Sequence, residues 1–209
     1  MRITTFPLGV LETNSYLLDN GQKALAIDVG GDPAPVLDFL KKEGLDLEAI
    51  LVTHRHFDHQ YGIAALQKET DAPAYVPAGD DPIAGTELSQ GGMWGMPLVP
   101  PFKATPFASS LSLASFRPEV LLTPGHSPGA VAFYFPEEGC VFSGDTLFYH
   151  SMGRTDFAMG DQAALLDSIT RVLFALPDKT AVYPGHGLAT SIGEERNHNP
   201  YIGDFASRP

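Results

Sequence analysis

The sequence predicts an α/β domain, and three observations lead to that prediction. The chain of 209 residues is 44% apolar and 18% charged, a composition that can fill one well-packed core. Strand-like runs of β-branched and aliphatic residues alternate with stretches in which apolar residues recur at helical spacing. Side chains that can bind metal follow the ends of several predicted strands. We therefore expect a single domain over residues 1–209.

The first part of the chain predicts a meander followed by a helix. Three strands are predicted, over residues 3–6, 15–18 and 23–27. The turn signals between them indicate antiparallel pairing. Residues 33–43 fit a helix, because their apolar side chains cover one side and Gly44 can end it. Asp28 directly follows the third strand, where it either orients a ligand histidine or caps the turn.

The later elements alternate in the same way. Further strands are predicted over residues 72–76, 120–122, 130–135, 139–142 and 180–183, and the last of these is the final strand. Two more helices are predicted, over residues 63–69 and 161–176. Asp161 is a good N-cap for the second of these helices, and Pro177 ends it.

Between residues 82 and 107 the regular pattern disappears, and prolines and glycines take its place. Long loops of this kind in compact domains often act as functional lids. The loop contains Met93, Trp94, Met96 and Phe102. These apolar side chains have two alternative interpretations. They line the substrate pocket, with Trp94 as a substrate contact, or they cover the core.

One short stretch carries four side chains that can bind metal. His54, His56, Asp58 and His59 directly follow the apolar run 49–52, which predicts a buried strand. His54 and His56 leave the end of that strand two residues apart, so in extended chain their side chains point the same way. Asp58 and His59 lie where the chain turns toward the next helix. We therefore predict that all four side chains converge on metal.

The same arrangement recurs after three later strands, where a glycine is followed at once by a residue that can bind metal. These residues are His126, Asp145 and His186. A glycine lets the backbone turn sharply and come close to the site. Imidazole and carboxylate donors without a thiolate suit zinc, iron or manganese. Seven protein ligands exceed the roughly three to four of one catalytic zinc, so we predict two divalent ions, zinc first, with iron or manganese as alternatives.

Together these motifs resemble the metallo-β-lactamase fold superfamily. The resemblance rests on H-x-H-x-D-H at residues 54–59 and on the spaced Gly-His, Gly-Asp and Gly-His pairs, and it covers about residues 6–201. It implies an αββα sandwich. Three further stretches, at residues 144–148, 153–157 and 194–201, resemble short glyoxalase II-like hydrolases, the hydroxyacylglutathione hydrolases.

The resemblance implies a binuclear centre and a thioester hydrolase. One metal ion would be held by His54, His56 and His126, the second by Asp58, His59 and His186, with Asp145 as the bridge. Two ions about 3.5–4 Å apart lower the pKa of a shared water toward neutrality and present hydroxide to the carbonyl of the substrate. Asp58 is the expected catalytic residue, because it can orient that hydroxide and accept its proton.

Other activities stay open at this point. A persulfide dioxygenase also resembles the sequence, including the stretch at residues 153–157, and would use one iron on His56, His126 and Asp145. A lactonase or another small-ester hydrolase would keep both metals. A non-enzymatic zinc domain is disfavoured, since structural zinc sites close on about four ligands and favour cysteine.

Glutathione is expected to bind weakly. The long form of these hydrolases has a C-terminal helical extension whose basic residues help to hold glutathione, and this chain stops soon after Tyr201. Arg154 is the candidate contact for an anionic substrate, with a salt bridge to Asp156 as the alternative. The preferred substrate class is therefore a small-molecule thioester in general.

The net charge and the cysteine content indicate which partners the protein can bind and in which cellular compartment it works. The net charge of −12 disfavours nucleic acids and anionic membrane surfaces, because affinity for either rests on Lys and Arg. The single cysteine, Cys140, excludes an internal disulfide and fits a reducing compartment, and its apolar surroundings indicate a core residue. The sequence has no signal-peptide pattern and no apolar stretch near 18 residues, so we expect a cytoplasmic protein.

Overall fold

The computed structural model describes residues 1–202, apart from the side chain of Trp94. The chain divides into two compact units. The first contains Met1–Ala108 and Ser112–Arg117, and the second contains Ser109–Leu111 and the chain from Pro118 onward. The assignment of residues 1–209 to a single domain stays a prediction.

The first unit is built on a six-stranded mixed sheet. In order across the sheet its strands are β1 (Arg2–Leu8), β2 (Thr13–Asp19), β3 (Lys23–Ile27), β4 (Asp46–Leu51), β5 (Ala74–Pro77) and β6 (Ala104–Phe107). Strands β1, β2 and β3 pair antiparallel, as the predicted meander requires, and β3 to β6 pair parallel.

Three helices belong to the first unit: α1 (Ala34–Glu43), α2 (Ile63–Thr70) and α3 (Glu87–Gln90). Helix α1 ends as predicted, because Gly44 takes the left-handed conformation with φ 66° and its N–H donates to the carbonyl of Lys41. Its buried face, with Val36 and Leu40, joins the core of the unit together with Ile63 and Leu66 of α2.

The prediction that residues 82–107 lack regular structure is wrong in part. Helix α3 lies near the start of this segment, and strand β6 forms its end. Pro106 obscures the strand in the sequence, because proline cannot donate to a ladder of hydrogen bonds. Strand β6 is the last strand of the sheet, and an edge strand tolerates proline.

The second unit contains a five-stranded sheet and a two-stranded sheet. Its strands are β7 (Glu119–Leu122), β8 (Val131–Phe135), β9 (Cys140–Gly144), β10 (Leu147–Phe148), β11 (Ser151–Met152), β12 (Ala181–Pro184) and β13 (Thr190–Ser191). The larger sheet has the order β13-β12-β9-β8-β7, in which only β12 and β9 pair parallel. The prediction that β12 is the final strand is wrong, since β13 follows it.

The helices of the second unit are α4 (Gln162–Asp167) and α5 (Ile192–His198). The predicted N-cap is confirmed, because the Asp161 carboxylate accepts the N–H of Ala164 at 3.0 Å. The predicted helix 161–176 changes its winding after α4, to a π-helix over Ser168–Val172 and a 3-10 turn over Leu173–Ala175. No helix in the described part of the chain is long and apolar enough to cross a membrane.

Candidate metal centre

The four predicted ligands of the first unit lie together after strand β4. His54, His56 and Asp58 are 1%, 5% and 8% exposed, and His59 is fully buried. The ring of His54 lies 4.6 Å from that of His56 and 4.1 Å from that of His59, measured between ring centroids. His56 keeps an extended backbone, and a 3-10 turn over Phe57–His59 then brings Asp58 and His59 back toward the first two histidines.

Asp28 orients one of these ligands. Its Oδ2 accepts the Nδ1 proton of His59 at 2.9 Å, and both groups are buried. Asp28 also accepts from the backbone N–H and the hydroxyl of Thr53, each at 2.8 Å. Of the two roles considered for Asp28, the contact with a ligand histidine is therefore present. Because Nδ1 of His59 carries the proton, its Nε2 has the lone pair that a metal requires.

Asp58 is held by a residue that the sequence analysis did not identify. The hydroxyl of Thr13, which is fully buried on strand β2, donates to Oδ2 of Asp58 at 3.2 Å. The same carboxylate oxygen lies 3.6 Å from Nε2 of His59. The Asp58 carboxylate therefore has a fixed position beside the histidine that follows it.

The three predicted ligands of the second unit also lie together. Oδ2 of Asp145 is 3.5 Å from Nε2 of His126 and 3.6 Å from Nε2 of His186. Asp145 follows β9 and His186 follows β12, and these two strands are parallel neighbours. The carboxyl ends of parallel neighbours meet at the same edge of a sheet, which brings the two residues together. The hydrogen bond from Gly185 N–H to Gly144 O, at 2.8 Å, closes this edge.

His126 is oriented by a backbone carbonyl. Its Nδ1 donates to the carbonyl oxygen of Arg154 at 2.8 Å, which leaves the Nε2 lone pair on the side of Asp145. The backbone reaches this position because residue 153 is a glycine. A Cβ at Gly153 would overlap the backbone oxygen of Asp145 and lie 3.3 Å from Cβ of His126. Only glycine therefore lets this segment pass so close to two ligands.

We expect Gly153→Ala to lower both stability and metal content. The added methyl forces the backbone away from Asp145 and His126, and overpacking of this kind costs about 1–3 kcal/mol. For a chain of this size that corresponds to a fall in Tm of roughly 2–12 °C. Thermal unfolding by circular dichroism and element analysis measure the two effects. Gly85→Ala is the matched control, because nothing lies within 4 Å of its added methyl. Equal behaviour of the two variants would contradict the prediction.

The donor spacing fits metal binding. Two ligands on one tetrahedral ion, with bonds of about 2.0–2.2 Å, have donor atoms about 3.4 Å apart. The pairs Asp58–His59, His126–Asp145 and His186–Asp145 are separated by 3.6, 3.5 and 3.6 Å. The seven predicted ligands are all among the described His and Asp side chains that could hold a metal ion. Imidazole and carboxylate donors suit zinc, iron and manganese alike.

The predicted substrate contacts have different outcomes. The Arg154 guanidinium makes two hydrogen bonds of 2.6 Å to Asp156 and lies 4.1 Å over the ring of Phe157. This is the salt bridge given above as the alternative, and an anionic substrate would have to compete with it. Phe102 packs against the core of the first unit, in line with a covering role. The side chain of Trp94 lies outside the described structure, so its role as a substrate contact stays a prediction.

The remaining histidines and the cysteine have other surroundings. His150 and His198 lie 2.9 and 3.3 Å from the carboxylate of Glu194, and the hydrogen bond from His150 is the main cause that lowers the pKa of this carboxyl. Burial raises the pKa of the Cys140 thiol to about 11, so at neutral pH it stays protonated. Cys140 is therefore a core residue, as predicted, and not a nucleophile.

Comparison with known proteins decides the family. The profile of the Metallo-beta-lactamase superfamily matches residues 8–186, which is most of the chain. The chain belongs to this superfamily. Its α/β metallo-β-lactamase fold, with two mixed sheets and flanking helices, is as predicted, and the crystal structure of BLEG-1 B3 metallo-beta-lactamase superposes with a TM-score of 0.88. That protein is 37% identical, and the alignment covers 96% of this chain and 99% of that one.

Other members of the superfamily cover the chain almost completely. The crystal structure of TTHA1623 in a di-iron-bound form is 41% identical, with a TM-score of 0.86 and coverage of 95% and 100%. Probable metallo-hydrolase YqgX of Bacillus subtilis is 35% identical over 99% of this chain and 100% of its own length. Hydroxyacylglutathione hydrolase GloC of Haemophilus influenzae is 31% identical, with coverage of 97% and 98%. The chain is thus a metal-dependent hydrolase of the superfamily with a His-rich metal site.

Proposed function

We propose that this chain is a binuclear metal-dependent hydrolase whose substrates are small-molecule thioesters. The observation that carries the proposal is the position of Asp145. One of its carboxylate oxygens, Oδ2, is at ligand spacing from both His126 and His186. Because the proposed centre assigns His126 and His186 to different ions, a carboxylate oxygen close to both of them could be shared by the two ions.

The proposed centre uses all seven ligands. His54, His56 and His126 would hold one ion, Asp58, His59 and His186 would hold the other, and Asp145 would be shared by both. Two divalent ions bound there would supply Lewis acidity to the carbonyl of the substrate and lower the pKa of a water toward neutrality. Zinc is the ion proposed first, and the di-iron form of TTHA1623 supports iron as an alternative.

Asp58 is the proposed catalytic carboxylate. Thr13 holds its Oδ2 at 3.2 Å, which restricts rotation of the carboxylate group. A carboxylate with a fixed orientation can align the attacking water and accept its proton, a role that typically contributes about 10²–10⁴-fold to the rate. The chain's own residues thereby position the nucleophile as well as the metal.

Three observations support thioesters as the substrate class. The stretches at residues 144–148 and 153–157 resemble glyoxalase II-like hydrolases, and the relative GloC is named as a hydroxyacylglutathione hydrolase. A thiolate, whose conjugate acid has a pKa near about 8.5, can also leave without protonation by a general acid. The net charge of −12 favours a small molecule over nucleic acid or an anionic membrane surface as the partner.

Element analysis and thioester assays test the proposal together. Protein purified without added metal is expected to contain two equivalents of zinc, iron or manganese per chain and to hydrolyse S-lactoylglutathione. An acyl thioester of a neutral thiol, a lactone and a β-lactam serve as comparison substrates. One equivalent of iron with oxygen uptake on a persulfide would overturn the proposal in favour of a dioxygenase. Hydrolysis of the lactone or the β-lactam without thioester hydrolysis would overturn the substrate class.

A further inference from the structure

Thr53 contacts two partners through one hydroxyl group. This residue is 1% exposed and directly precedes the first ligand, His54. Its Oγ1 lies 2.8 Å from Oδ2 of Asp28 and 3.1 Å from Nδ1 of His54. The same oxygen of Asp28 accepts the Nδ1 proton of His59 at 2.9 Å. A chain of hydrogen bonds therefore connects His54, Thr53, Asp28 and His59 inside the first unit.

The number of available protons fixes the direction of each bond. A carboxylate can only accept, so the single hydroxyl proton of Thr53 points to Asp28. The hydroxyl oxygen can then only accept from His54, and the proton of that ring lies on Nδ1. Nε2 of His54 consequently has the lone pair, as it does in His59. Asp28 thus sets the tautomers of two histidines, of which it contacts one directly and the other through Thr53.

We propose that Thr53 is a positioning residue that transmits the orientation set by Asp28 to His54, so that one buried carboxylate governs a ligand of each of the two metal positions. The inference rests on the metal centre of the proposed function but on no property of the substrate. Loss of a partner that orients a metal ligand typically costs about 10–100-fold in metal affinity.

The inference predicts a different effect for each residue of the pair. Thr53→Val keeps the size of the side chain and the backbone N–H that donates to Asp28 at 2.8 Å, and replaces the hydroxyl with a methyl group. We expect it to lower the affinity for one of the two zinc ions about 10–100-fold and to leave the affinity for the other unchanged. Asp28→Asn keeps the size of the side chain, and asparagine tolerates the φ of 54° at this position. It is expected to weaken the binding of both ions, because an amide nitrogen in the place of Oδ2 cannot accept the hydrogen bonds from Thr53 and His59.

Zinc titration against a competing chelator, on the full chain, measures the two affinities. Thr53→Ser retains a hydroxyl and is expected to bind zinc as the wild type does. Thr180→Val is the control for loss of a buried hydroxyl, since Thr180 is 1% exposed and lies before β12, away from its metal-binding end. The Nδ1–H signals of ¹⁵N-labelled histidine provide a second readout. Thr53→Val is expected to shift or remove the signal of His54 and to keep that of His59.

Several results would overturn the role of Thr53. The first is that both zinc affinities are unchanged in Thr53→Val. The second is that both affinities fall equally in that variant. The third is that Thr180→Val lowers zinc affinity as much as Thr53→Val does. An unchanged His54 signal in Thr53→Val would also overturn it, and that signal can be measured without metal. Failure of the wild type to bind two zinc ions, or to hydrolyse thioesters, would instead contradict the proposed function. The two failures are therefore distinguishable.

Discussion

Asp145→Ala is expected to abolish metal retention and hydrolysis together. In the proposed centre Asp145 is the bridge, and its Oδ2 lies 3.5 and 3.6 Å from the Nε2 atoms of His126 and His186. Alanine removes the carboxylate that the two ions would share, so His126 and His186 remain without it. Lewis-acid stabilisation is worth several kcal/mol, and each 1.4 kcal/mol is tenfold in rate, so kcat/KM should fall on the order of 10³-fold or more.

Element analysis and kinetics on the same preparation check this expectation. Asp167→Ala is the matched control, because Asp167 is an exposed aspartate at the end of helix α4 whose ion pair with Arg171 of the following π-helix lies on the surface. The control should retain both metal and activity. If Asp145→Ala kept two tightly bound ions, the bridging role would be excluded. Loss of activity with both ions in place would instead assign Asp145 to the substrate.

The parts of the fold that sequence predicts well are those with strong local signals. Strand β3 and helix α1 have the predicted bounds to within a residue, since the apolar run of the strand, the apolar helix face and Gly44 all act locally. Strand β6 was missed because Pro106 is tolerated only at a sheet edge, and the position of a strand within a sheet is not a local property. Strands of two residues, such as β13, are too short to show a period.

The metal ligands were predictable for a similar reason. Each follows a strand, and the residue type at a strand end can be recognised without knowledge of the tertiary fold. Whether these seven residues form the site stays a prediction that the variants above test. Among the groups that orient the ligands, Asp28 gave such a signal because it also follows a strand, but Thr13 and the carbonyl of Arg154 gave none. Thr13 contacts Asp58 across 45 positions of the chain, and the carbonyl of Arg154 contacts His126 across 28.

A backbone carbonyl, in particular, has no sequence signature. Every residue carries one, so the hydrogen bond from His126 to Arg154 depends on the path of the chain and not on the arginine side chain. The motif around residue 154 drew attention to the guanidinium as a substrate contact, whereas the contact that the structure provides comes from the main chain. Gly153 is the sequence signal that this arrangement leaves, because the close approach of residue 153 to the backbone of Asp145 excludes a side chain there.

The second large effect is expected from Asp58→Asn. Asparagine has the size of aspartate, and its carbonyl oxygen can still accept the hydrogen bond that Thr13 donates at 3.2 Å. The fold and the position of the side chain are therefore retained. The amide cannot accept a proton from the attacking water, so kcat should fall by about 10²–10⁴-fold. KM should change much less, since the lost interaction belongs mainly to the transition state.

Steady-state kinetics on a thioester at saturating zinc measure this separation, with metal content determined in parallel because Asp58 is also a proposed ligand. Thr13→Val provides the graded comparison. It removes the hydroxyl that fixes the carboxylate at 3.2 Å but leaves the carboxylate itself, so its loss of kcat should be smaller than that of Asp58→Asn. A rise in KM at constant kcat in Asp58→Asn would assign Asp58 to substrate binding. An equal loss of kcat in both variants would mean that orientation, and not proton acceptance, is what Asp58 contributes.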